Sequence, residues 1–108
     1  MESSTTFKRA LQAAYDRRKA AGLASIESNN DRAVAYILRH PVMLGRDGKI
    51  LNHMGIAHRR IRRLYIRKTW NIRAAFGGNI DWQSIVDWLV ENWDEIAKIV
   101  FAIVMMFI

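Results

Sequence analysis

The residues in this 108-residue chain with the chemistry to act on another molecule are its arginines, histidines and carboxylates, and their spacing separates them. His40, His53 and His58 are the only imidazoles. His53 and His58 are five residues apart, about 140° around a helix, so they do not form a facial metal pair. Asp87, Glu91 and Asp94 have the look of paired carboxylates. Regular helical spacing opposite an apolar stripe is, however, the ordinary signature of a solvated face. The chain has no cysteine, which removes disulfides, thiolate zinc sites, iron–sulfur clusters and cysteine nucleophiles. It has no phosphate loop, dinucleotide fingerprint or nucleophile elbow. The expectation is a non-enzymatic protein with no catalytic residue, no metal and no cofactor.

The densest chemistry is cationic. Arg59, Arg60, Arg62 and Arg63 are followed by Arg67, Lys68 and Arg73, with Trp70 among them. Guanidinium forks match phosphate oxygens and an indole offers a π-face for stacking, so this stripe suits nucleic acid. It equally suits anionic lipid headgroups, where tryptophan favours the interface. A solvated face, or pairing with an acidic segment of a neighbouring subunit, is the competing reading. No zinc-finger, homeodomain or RNA-recognition motif accompanies the stripe.

The elements that must position it follow from the hydrophobic pattern. The fold class expected is mostly α, with about three helices in a basic body. Ser3, Ser4, Thr5 and Thr6 offer caps to an alanine-rich helix that ends near Gly22. Asn29, Asn30 and Asp31 offer a second cap, before a helix in which Val34, Ile37 and Leu38 gather and which Pro41 ends. The Asp47-Gly48 pair between short apolar runs allows a hairpin near 42–51, or a plain helix-to-helix turn. Asn52 caps a third helix reaching about Phe76. On it Met54, Ala57, Ile61, Leu64, Ile72 and Ala75 gather on the side opposite the arginines, where Lys68 interrupts them, although 64–73 also alternates as a strand would.

Charge divides the chain. Residues 1–78 carry sixteen of the 17 Lys and Arg against five acids, a net +11, and residues 79–108 carry one lysine against five acids, a net −4. The break falls at Gly77-Gly78, so the expected organisation is a basic helical body over 1–76, a hinge at 77–80 and an acidic amphipathic helix with an apolar tail over 81–108. Trp82, Ile85, Leu89, Trp93, Ile96 and Val100 form one wide face of that helix. Residues 99–108, with Phe101, Val104 and Phe107, are apolar on every side. Such a helix must be buried in protein or lipid. Ten residues rise about 15 Å, half of a hydrocarbon core, so a simple span is disfavoured. These residues are the expected oligomer or membrane contact, with a core inside the chain itself as the least favoured alternative.

No continuous apolar stretch in the first 25 residues suggests a signal peptide. The arrangement resembles that of small membrane-associated phage proteins, minor virion components or lysis proteins. The Leu-Ser dipeptide of many single-stranded RNA phage lysis proteins is missing, and the resemblance is one of arrangement only. The leading expectation is a subunit of a larger assembly such as a virion, built as a homo-oligomer or with other chains and binding nucleic acid or an acidic neighbour through the arginines. A membrane-associated anchor or lysis factor at the cytoplasmic membrane face, and a soluble nucleic-acid-binding regulator, are the alternatives.

Overall fold

A computed structural model describes residues 4–40, 42–44, 50–70 and 82–106, with side chains over 5–40, 53–70 and 82–106. The chain is mostly helical. Helix α1 (Ser4–Ala20) buries Phe7, Ala10, Leu11 and Ala14, a three-and-four spacing that puts one stripe inward. It stops at Gly22, whose φ of 72° is left-handed. The Gly22 amide donates to the Lys19 carbonyl at 3.0 Å and the Leu23 amide to the Arg18 carbonyl at 2.8 Å. This is the Schellman closure that glycine allows without steric penalty.

Helix α2 (Asn29–Arg39) is capped by Ser28, one residue before the expected Asn-Asn-Asp cap: its hydroxyl accepts from the Asp31 amide at 3.3 Å. Val34, Ile37 and Leu38 are buried, and the helix closes with the His40 amide on the Tyr36 carbonyl. Two three-residue strands follow, β1 (Val42–Leu44) and β2 (Ile50–Asn52), antiparallel with Met43 opposite Leu51.

Helix α3 (His53–Thr69) buries Met54, Ala57, Ile61, Leu64 and Tyr65. It ends seven residues before the expected Phe76. The Thr69 hydroxyl donates back to the Tyr65 carbonyl at 2.7 Å, and Trp70 leaves the helix with φ at 54°. Ile72, Ala75 and the Gly77-Gly78 hinge lie outside the described residues.

The expected single C-terminal helix is two helices, α4 (Trp82–Glu91) and α5 (Trp93–Met105). They part at Asn92, whose side-chain amide donates to the Trp88 carbonyl at 2.9 Å. A side chain that bonds its own backbone in this way competes with continued helix.

The described C-terminal helices pack into the basic body, and one hydrophobic cluster runs from Phe7 to Val104. Helix α5 lies against α2 and α3, and α4 lies against α1. In the apolar stretch Val100, Ile103 and Val104 are buried and Ile99 and Phe101 half-buried against the chain's own helices, while Ala102, Met105 and Met106 are exposed.

Among the described residues the core holds a carboxylate hub. Asp31, 5% exposed, accepts from the Trp93 indole Nε1 at 2.6 Å and from the Ser25 amide at 3.0 Å. Its second oxygen lies 3.6 Å from the Arg18 guanidinium, which also sits 5.0 Å from the Trp93 ring centroid and donates to the Leu23 carbonyl. A buried carboxylate is tolerated because these donors replace its water, and removing them strands the rest. Asp31→Ala should therefore lower unfolding free energy by about 2–4 kcal/mol in urea titration, while the exposed Asp16→Ala should change it by less than about 0.5 kcal/mol.

His58 packs on Phe7, ring centroids 5.3 Å apart, where α1 meets α3, and its Nε2 is buried without a hydrogen-bond partner among the described residues. Burial pushes its pKa below the ordinary 6.5, and neighbouring positive charge including Arg62 pushes the same way. Burial also lowers the pKa of His53. At these two histidines the unfolded chain binds protons more readily than the folded one, so their contribution to stability is present above pH 6.5 and is lost as the pH falls below it. The melting temperature should fall between pH 7.5 and pH 5, and His58→Gln should flatten that dependence. An unchanged pH profile in this variant would remove His58 from the account.

Candidate anion-binding face

Helix α3 turns its apolar side to α1 and α5, and that choice decides which cations face outward. Arg59, Arg63 and Arg67 follow one another at four-residue spacing and are exposed, with Arg60 exposed beside them. The ridge from Arg59 to Arg67 spans about 12 Å, a length over which duplex DNA carries about seven charges. Arg62 is half-buried on the flank and engaged in an interaction within the chain. Arg60 reaches the Met106 sulfur at 3.9 Å, at the far end of α5. At the end of the ridge Trp70 is 84% exposed, its ring carried outward by the left-handed exit from the helix.

Lys68 departs from the expected stripe. Around α3 it falls on the inner side, and its ammonium donates to the Glu95 carboxylate and, at 3.2 Å, to the Asn92 side-chain oxygen. It tethers α3 to the start of α5 and is committed within the fold. Arg73 lies outside the described residues.

The acidic face of the C-terminal helices is partly neutralised inside the same molecule. Asp87 takes Arg17 at 2.5 Å and Gln83 at 3.1 Å. The Arg17 hydrogen bond, with that of Gln83, holds its carboxyl below the usual carboxylate range. Arg17, Arg18 and Lys68 are the cations with carboxylate partners among the described residues; Arg59, Arg60, Arg63 and Arg67 have none there. Among the described residues, then, no carboxylate neutralises the α3 ridge.

The expected C-terminal contact face is largely turned inward. Ile85, Leu89, Trp93, Ile96, Val100 and Val104 are buried in the chain's own core, and Phe101 is half-buried against it. Trp82 is exposed, as are Met105 and Met106, and Phe107 lies outside the described residues. Among the described residues no helix is long and apolar enough to cross a membrane. The residues that sequence reasoning passed over are Arg32, Tyr36 and Arg39. Their three- and four-residue spacing on the outer side of α2 was the available signal, and they border a groove against α5. His40 stacks on Tyr36 at 4.8 Å between centroids, and among the described residues no group of three His, Asp or Glu is placed to hold a metal ion. No family model, no curated protein and no solved structure matches this chain.

Proposed function

We propose that this protein is a non-enzymatic subunit of a larger assembly that holds nucleic acid through the outer face of α3. The observation carrying this reading is the ridge of Arg59, Arg60, Arg63 and Arg67, which has no carboxylate partner among the described residues and ends at an exposed tryptophan. Arginine forks grip phosphate oxygens in two-point contacts, and each contact releases counterions from the polymer. Trp70 supplies the stacking surface that single strands need, independent of base identity. The net charge of +7 adds long-range attraction to any polyanion. The histidines serve packing: His58 sits against Phe7 and His53 lies edge-on to Tyr36.

An anionic membrane surface is the second reading, favoured by exposed Met105 and Met106 at the end of α5 near Arg60. Fluorescence anisotropy with a labelled single-stranded oligonucleotide tests the first. The triple variant Arg59→Ala/Arg63→Ala/Arg67→Ala should lower the slope of log affinity against log salt by about 2. Trp70→Ala should weaken binding by about tenfold, with Trp70→Phe losing less. Salt slopes and affinities equal to those of the unaltered protein would overturn the reading, and vesicle binding without oligonucleotide binding would transfer it to lipid.

A further inference from the structure

A groove of about 510 Å³ runs between α2 and α5, lined by no residue of α3 among the described residues. That volume falls in the range of small-molecule sites. Tyr15, Tyr36, Phe101, Val104 and Met105 give it an apolar wall. Ile26, 85% exposed in the α1–α2 loop, stands at its lip as a large side chain that water covers at a cost. Arg32 and Arg39 border it seven residues apart on one side of α2, about 10.5 Å along the helix. Both are exposed, neither has a carboxylate partner among the described residues, and no described residue lining the groove is acidic.

We propose that this groove binds a single-chain anionic amphiphile, an alkyl carboxylate or alkyl phosphate, with its tail on the Phe101–Met105 wall and its head on Arg32 or Arg39. Charge complementarity selects the head: two guanidiniums beside an apolar recess with no acid are matched by one anion on an apolar chain. Size selects the body. A helix about 10 Å across fills about 420 Å³ per turn, so the groove holds about one turn, short of the three or four anchors by which an amphipathic helix docks. A bilayer presents a plane, whereas in this groove Val104 is buried and Phe101 half-buried, with exposed Arg32 and Arg39 at its border. The site is separate from the α3 ridge and stands whether or not that ridge binds nucleic acid.

Titration calorimetry of the full chain with laurate, kept below its micelle concentration, is the test. Saturable binding at one laurate per chain is expected, with dodecanol, which lacks the charge, about tenfold weaker. Arg32→Ala/Arg39→Ala should weaken laurate about tenfold or more, and Arg63→Ala on the α3 ridge should leave it unchanged. A methyl resonance shift at Met105 on adding laurate to the unaltered protein gives a readout that needs no variant. No saturable heat, equal affinity in the double arginine variant, an unmoved Met105 methyl, or binding to phosphatidylglycerol vesicles with none to laurate would each overturn the proposal.

Discussion

The contact on which the arrangement depends is the buried carboxylate of Asp31 under the indole of Trp93. A single side chain there joins four pieces of chain: the end of α1 through Arg18, the following loop through the Ser25 amide, the first turn of α2, and the first turn of α5. A carboxyl group inside protein leaves little freedom, because each donor it loses leaves a buried polar atom without solvation. The loop conformation, the entry angle of α2 and the break at Asn92 are thus parts of one solution. Had α4 continued through Asn92 as one helix, Trp93 would point where α4's helical phase sends it, with no provision for Asp31.

From that arrangement the surface electrostatics follow. Packing α4 and α5 into the body brings acidic side chains against basic ones of α1 and α3, and Asp87 and Glu95 find Arg17 and Lys68. Each exposed pair contributes little stability, since solvent screens it. Their larger effect is on what remains: the outer cations of α3 and the two arginines bordering the α2 groove have no such partners among the described residues. Two groups of exposed arginines thus stand on one small molecule, one along α3, proposed for a polyanion, and the other bordering a groove, proposed for a discrete ligand. Shape, rather than charge, distinguishes what each can hold.

The first three helices were legible because local rules govern them. Gly22 stops α1, the apolar spacing of Val34, Ile37 and Leu38 marks α2, and the arginine-free side of α3 marks its inner face. The register of Lys68 on the inner side was legible too, but not its reason, because Glu95 lies 27 residues away and only packing brings it near. The end of α3 at Thr69 and the break at Asn92 escaped for a shared cause. In both, a polar side chain bonds the carbonyl four residues back, and hydrophobic periodicity carries no trace of it. The fate of the apolar tail depended on whether α2 and α3 could flank α5. Composition pointed outward to oligomer or lipid; the chain itself covers Val100, Ile103 and Val104, and leaves Met105 and Met106 exposed.

The separation of Asp31 and Trp93 by 62 residues also places the hub in time. A ribosome adds about 5–20 residues each second, so Asp31 emerges about 3–12 s before the indole that is to donate to it. During that interval α1 and α2 can form as local helices, yet the carboxylate must stay hydrated and the inner stripe of α2 lacks α5. The basic N-terminal helices are therefore exposed as a nascent, unsealed half until the last helix arrives. Closure of the Asp31 hub therefore waits on the synthesis of Trp93.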